Sequence, residues 1–410
     1  LRKVSKDFLD KFDYRMFGAA TALSIIGILA IYSATRTSPA EQGNFLKQIY
    51  SWIISFGVMI TIVFIPTRFI KNATIPLYAL SILLLIAVII VGKVTNGAKC
   101  WIHIGSLSFQ PSELAKIAVV LALAQFLSRP QTNIESVKDI GIALTIGLFP
   151  VMLIMLEPDL GGSFIFLGII LVMLFWNGIS MFGLFFALSP AVAAVSSLFG
   201  PYYFFSVLVL IVVALVLFRK DIFLSGSILA INIASGFFVD NVFRILSPHQ
   251  QKRIMTFVNP SADPLGAGYN SMQAKIAIGS GGFFGKGFLN GHQTQLHFIP
   301  EQWTDFIFCT VGEEFGFIGS ILVVALFGFF FYRLFTLAQF EKDHYLSLIV
   351  IGALSIYFFH FLVNIGMDIG IMPVIGLPLP FISYGGSALL GNMTLLGIVL
   401  NIYRNRIARV

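Results

Sequence analysis

The chain is a succession of apolar runs broken by short polar connections. About 20 helical apolar residues cross the hydrocarbon layer of a bilayer. Runs of that kind cover 17–35, 46–65, 73–92, 112–128, 137–156, 162–176, 179–199, 202–218, 222–239, 304–332, 345–366 and 380–402. They predict an all-α polytopic membrane protein with about 12 transmembrane helices. The pairs 162–176/179–199 and 202–218/222–239 have very short connections, so they read as tight helical hairpins. The long polar interruption 240–303 reads as one large loop of a single integral membrane domain, 1–410.

Composition agrees with this class. Hydrophobic residues make up 57% of the chain and charged residues 11%, against about 25% charged in soluble domains. The two cysteines, Cys100 and Cys309, are too few for a disulfide framework and lack metal-site spacing. The first apolar run follows a charged stretch and ends without a small-residue cleavage site, so no cleavable signal peptide is expected.

The net charge of +7 reflects topology rather than nucleic-acid binding, because the basic residues sit at span ends. Alternate crossings put Arg2, Lys3, Lys6, Lys11 and Arg15 on one side with Arg68, Lys71, Arg129, Lys138, Arg219, Lys220, Arg333, Lys342, Arg404, Arg406 and Arg409. That side is cytoplasmic by the excess of Lys and Arg in short loops. Both termini are therefore expected in the cytoplasm, and loop 240–303 outside. Long loops translocate largely regardless of charge, so Arg244, Lys252, Arg253, Lys275 and Lys286 do not oppose this. An anionic ligand would account for them.

The chemistry-bearing positions fall mostly on that outer side. Asp263, before Pro264 and among glycine-containing turns, reads either as a turn opener or as a general base. Arg253, Lys275 and Lys286 suit a diphosphate clamp or a basic face beside anionic lipid. The glycine run 279–287 has the wrong spacing for a nucleotide-phosphate loop. It suits close turns or re-entrant packing against helices. Pro111 suits a helix start, and Glu113 and Lys116 share a helix face three residues apart. They read as a structural ion pair or as a functional site, the default for ionisable residues in a membrane. Asp159 is placed to cap the helix after it. The adjacent Glu313 and Glu314 need a partner or a wet cavity. From Asn364 to Ser387, Pro and Gly imply a broken entry into the last span beside a cavity.

These segments carry a resemblance to the SEDS family (shape, elongation, division and sporulation), the bacterial cell-wall polymerases. The matching pieces are Gln110-Pro111-Ser112-Glu113-Leu114-Ala115-Lys116, Pro158-Asp159-Leu160-Gly161, and Asn259-Pro260 through Asp263-Pro264-Leu265-Gly266-Ala267-Gly268-Tyr269. Further on come Ala277-Ile278-Gly279-Ser280-Gly281-Gly282, Pro300-Glu301 with Thr304-Asp305-Phe306, Gly312-Glu313-Glu314, and Pro378 through Ser387. Gly285-Lys286-Gly287 and Gln293-Thr294-Gln295-Leu296 resemble the elongation branch more than the division branch. The chain departs from the family in two extra spans, about 201–239. It also departs in Cys100 where Arg is usual, in Trp303 where His is usual, and in Asp368 where the family is apolar or hydroxylic.

The resemblance implies a peptidoglycan glycosyltransferase that polymerises lipid II, the undecaprenyl-diphosphate-linked disaccharide-pentapeptide, into β-1,4-linked glycan outside a bacterial inner membrane. Asp263 would be the catalytic base of an inverting reaction. Lys116, Glu113, Arg253, Lys275, Lys286, Gln293, Glu301, Asp159 and Ser383 would contact substrate. Besides lipid II and the growing strand, the implied partners are a class B penicillin-binding transpeptidase and the elongation machinery. No cofactor is implied, and a divalent cation is left open. The competing readings are a lipid II transporter and a non-catalytic scaffold for the transpeptidase.

Overall fold

The computed structural model describes residues 12–38, 41–95, 98–104, 107–134, 136–218, 222–245, 248–258 and 267–407. Every apolar run of the sequence coincides with a helix over most of its length. These are α1 (Tyr14–Thr35), α2 (Gln42–Phe64), α3 (Thr67–Val91), α4 (Pro111–Leu127), α5 (Val137–Leu156), α6 (Leu160–Trp176), α7 (Met181–Leu198), α8 (Pro201–Phe218) and α9 (Ile222–Ile245). The polar stretch between spans holds α10 (Pro248–Val258), α11 (Ala267–Gly281) and α12 (His292–Gln295). It is therefore largely helical rather than a bare loop. Then come α13 (Ile307–Phe340), α14 (His344–Asp368) and α15 (Gly386–Ile407). Among the described residues, nine helices are long and apolar enough to cross a membrane.

The all-α expectation misses one small feature. Between α3 and α4 lie three short antiparallel strands, β1 (Lys93–Thr95), β2 (Ala98–Ile104) and β3 (Leu107–Phe109). Ile102 pairs with Phe109, a β-branched and aromatic pairing of the kind that stabilises a pleated surface. Lys99 of β2 donates its Nζ to the Ile89 and Ile90 carbonyls at 2.7 and 3.1 Å. It thus satisfies the orphan acceptors at the C-terminal end of α3.

Two irregular segments shape the interior. The first is the break in α13 at Gly316, where φ is +63°. Here the backbone of 282–287 takes up the bonds that the helix cannot make. Lys286 and Gly287 N–H donate to the Glu313 and Glu314 carbonyls, both at 3.0 Å. Phe317 N–H donates in return to the Gly282 carbonyl at 2.9 Å. A Cβ at Gly285 would stand 2.1 Å from the Glu314 carbonyl oxygen, and one at Gly316 would stand 2.3 Å from Gly285 N. The glycine run is thus a backbone-on-backbone contact, the re-entrant packing expected above.

The second segment is the non-helical stretch 371–385, in which Leu377, Leu379, Phe381, Ile382 and Ser383 are buried. Irregular backbone survives at membrane depth only when protein groups satisfy it. Asn364 donates to the Leu377 carbonyl at 2.8 Å, and Ser383 Oγ accepts Leu379 N–H at 2.8 Å. Gln48 donates to the Ser383 carbonyl at 3.3 Å and accepts Gly385 N–H at 3.2 Å. This is the broken entry into the last span.

Helices α7, α8 and α9 share an apolar cluster of their own, built on Ala193, Phe204, Leu208, Ile211, Leu215 and Ile228. Asn232 is fully buried there, and donates to Ser189 Oγ at 3.0 Å and to the Ile228 carbonyl at 2.8 Å. Its amide N–H groups are spent inside this unit, while its Oδ1 has no hydrogen-bond partner among the described residues. A deletion joining Gly200 to Asp240 is therefore expected to keep measurable polymerisation with lowered thermal stability. A stably inserted deletion variant without activity would place the hairpin in the catalytic machinery.

Candidate active site

The helix ends and connections that the sequence places on one side of the membrane converge on a cavity of about 400 Å³. Its charged lining is Glu113 and Lys116 from α4, Asp159 at the start of α6, Arg253 from α10, and Glu301 and Asp305 from the turn before α13. Gly376, Pro378 and Tyr384 from the buried irregular stretch close another wall.

Each side chain is positioned by its element. Pro111 starts α4, so Glu113 and Lys116 fall one turn apart and meet at 2.8 Å. Both are buried. Gly391 of α15 leaves room for the pair, since a Cβ there would stand 3.2 Å from Glu113 Oε2. Lys116 Nζ also lies 2.8 Å from His360 Nε2, while His360 Nδ1 lies 3.1 Å from the Pro378 carbonyl. The tautomer that satisfies both contacts carries its proton on Nδ1 and accepts from Lys116 at Nε2.

Asp159 caps α6 as expected, accepting Gly162 N–H at 2.8 Å, and it lines the cavity as well. Gln250 of α10 donates to the Pro158 carbonyl at 3.0 Å, which ties the helix carrying Arg253 to that turn. Asn364 donates to the Asp305 carbonyl at 2.7 Å. Arg253 and Asp305 both face Gly376, whose φ is +73°. A Cβ there would stand 3.0 Å from Asp305 Oδ2 and 3.6 Å from Arg253 Nη1.

Burial dominates the electrostatics. It raises Asp159 above the usual carboxylate range, against the Gly162 N–H and the Lys116 charge. Burial and then the Glu301 charge push Asp305 up to about 6, against the opposing Arg253 charge. Burial lowers Arg253, which Asp305 and Asp159 partly offset. Behind the cavity, burial and then Asp159 push Glu157 up to about 8. Glu157 is fully buried, and neither carboxyl oxygen has a hydrogen-bond partner among the described residues.

The sign of the Glu157 effect follows from that raised value. Its protonated form stabilises the fold fully below its ordinary 4.5, and this contribution is lost as pH rises through about 8. Glu157→Gln is therefore expected to match the wild type in acid and to exceed it at higher pH. The gap opens by at most about 1.4 kcal/mol per pH unit across that window. Thermal midpoints in detergent at acid and alkaline pH measure it. A gap that does not grow with pH would remove the explanation.

Not all the expected contacts meet here. Glu113, Lys116, Asp159, Arg253 and Glu301 line the cavity. Lys286 does not, because its Nζ is held 2.8 Å from the buried Glu313 carboxylate. Glu313 also accepts the N–H groups of Gln293 and Thr294, each at 2.9 Å, so Gln293 sits in that structural cluster. Lys275 lines a separate cavity of about 30 Å³, shared with Arg253. Ser383 holds the irregular stretch together rather than lining the cavity. Asp263 lies outside the described residues. Among the described residues, no three His, Cys, Asp or Glu side chains are grouped to hold a metal ion.

Sequence reasoning overlooked His360, Asp305 and Trp303 as site residues. His360 carried a readable signal, since an ionisable residue inside an apolar span defaults to function. Asp305 sat within a recognised motif but was not distinguished from its neighbours.

Comparison with known proteins fits this geometry. The family model for FtsW, RodA and SpoVE, described as cell cycle protein, matches residues 14–407. The chain is 37% identical to the peptidoglycan glycosyltransferase RodA of Treponema pallidum, over 95% of this chain and 97% of that protein. The crystal structure of Thermus thermophilus rod shape determining protein RodA superposes with TM-score 0.63 at 27% identity, covering 96% of this chain and 97% of that one. A chain in a structure concerned with polymerization and crosslinking by a peptidoglycan synthase complex superposes with TM-score 0.73 at 29% identity, covering 96% and 98%.

Proposed function

The chain belongs to the SEDS family, that of FtsW, RodA and SpoVE, and from that premise we propose that it polymerises lipid II on the outer face of the bacterial inner membrane. It is a multi-pass membrane protein and a peptidoglycan glycosyltransferase, as its RodA relatives are named. The finer reading is carried by the cavity, which gathers two cations and four carboxylates at helix ends that the charge rule puts on one side. Both termini then lie in the cytoplasm.

The reaction follows from these groups. Asp263, on the chain between α10 and α11, takes the proton from the acceptor sugar hydroxyl. That oxygen attacks the anomeric carbon of the α-linked donor. The bond from that carbon to the diphosphate oxygen breaks, and a β-1,4 bond forms with inversion. Lys116 and Arg253 stabilise the charge that builds on the departing diphosphate. Glu113 and His360 fix the Lys116 ammonium. The polyprenyl chains lie against the exposed apolar faces of the helices. A class B penicillin-binding transpeptidase docks on the same outer side, consistent with the synthase complex that this chain resembles.

The test is purified protein in detergent supplied with lipid II. Detergent leaves no second compartment, so polymer in this assay shows catalysis and excludes a pure transporter. Absence of polymer from folded wild-type protein would overturn the reading.

A further inference from the structure

The cavity presents aromatic rings as well as charges. Trp101 of β2, Trp303 and Tyr384 all line it, and each is only partly buried. The Trp303 carbonyl accepts Tyr384 N–H at 2.9 Å, so these two residues sit on backbones tied to each other in the cavity wall. Many aromatic rings of the interior are spent on one another, as in the Phe330–Tyr357 and Phe330–Phe381 edge contacts at 5.2 and 5.6 Å. The cavity rings are not: among the described residues none of the three stacks on another aromatic ring. Neither indole N–H has a hydrogen-bond partner among the described residues either.

An amphipathic ring with its face and its N–H both unspent is suited to a ligand that is apolar on one side and polar at its edge. A pyranose has that character, with C–H groups on its faces and hydroxyls around its rim. The carboxylates of Asp305 and Glu301 beside Trp303 supply acceptors for those hydroxyls. A few placed polar groups around an apolar lining is the usual make-up of a small-molecule site. We propose that Trp303, with Trp101 and Tyr384, forms a saccharide subsite that holds a sugar ring of the substrate, separate from the cations that hold its diphosphate. This rests on the glycosyltransferase reading and deepens it. Charge recognition alone would bind any polyprenyl diphosphate. The aromatic subsite makes the enzyme select the sugar-bearing one.

The experiment compares two probes on purified full-length protein in detergent, lipid II and undecaprenyl diphosphate without sugar. Trp303→Ala is expected to weaken lipid II binding about tenfold, equivalent to about 1.4 kcal/mol, and to leave undecaprenyl diphosphate affinity unchanged. Trp303→Phe keeps the ring face, and is expected to retain most of the affinity for lipid II. Trp303→Leu keeps the apolar bulk without an aromatic face, is expected to lose lipid II affinity as the alanine variant does, and is the reading variant if the alanine protein does not fold. Equal losses for both probes, or no loss for lipid II in the alanine or leucine variant, would overturn the subsite. The two readings fail separately. A wild type that binds lipid II in a Trp303-dependent way without polymerising it overturns the activity and upholds the subsite.

Discussion

Asp263→Asn is expected to reduce lipid II polymerisation by at least about 100-fold, the scale of a positioned general base. Asparagine keeps the shape of the side chain and its capacity to accept a hydrogen bond in a turn. It cannot take up the proton of an attacking hydroxyl. A turn-opening aspartate would tolerate this change, and a base would not, so the substitution separates the two readings that the local sequence leaves open. Polymer from equal amounts of wild-type and variant protein, resolved by length on a gel, measures the loss. Thermal midpoints in detergent should agree, because asparagine keeps the size and polarity of the side chain. Near-normal polymer from a well-folded variant would end the catalytic assignment.

Lys116→Ala should also extinguish activity, but for two entangled reasons. Lys116 is 3% exposed, and its ammonium is bonded to both Glu113 and His360. Removing it leaves the Glu113 carboxylate buried without its counter-charge, a change that costs about 3–5 kcal/mol. Loss of fold would then masquerade as loss of chemistry. The double variant Glu113→Gln/Lys116→Gln removes both charges and should recover most of the stability. It is nevertheless expected to remain at least about 100-fold down in polymerisation, because no cation then faces the diphosphate from α4. If the double variant regains activity along with stability, the pair is only structural.

The sequence foretold most of the helices because lipid imposes so simple a rule on them: apolar residues in runs of a fixed length. It also foretold which polar segments would share a side. It was blind where partners are far apart in the chain. Nothing in the local sequence of Lys286 announces that Glu313 will neutralise it, so a paired cation was read as a free one. Lys116 was legible with Glu113, one helical turn away, but not with His360, which another span brings to it. The strands β1–β3 escaped notice because each is short and lies between two strongly apolar helices. Ser383 was recognised from its motif, but the local sequence does not announce that its hydroxyl accepts the Leu379 N–H of the irregular stretch.

The exchange of backbone bonds between 282–287 and the break in α13 has a bearing on how this protein comes apart. Backbone bonds run along the whole joint, reinforced by the Lys286–Glu313 ion pair and the stacked Phe283 and Phe317 rings, so it does not loosen one contact at a time. Its donors and acceptors sit at fixed steps along two backbones, and a slip of one residue would misalign all of them together. The N-terminal part of α13 and the glycine run should therefore open as one cooperative unit. Amide hydrogens of Lys286, Gly287 and Phe317 would then exchange with solvent at a common rate, set by the whole joint and not by the exposure of each residue.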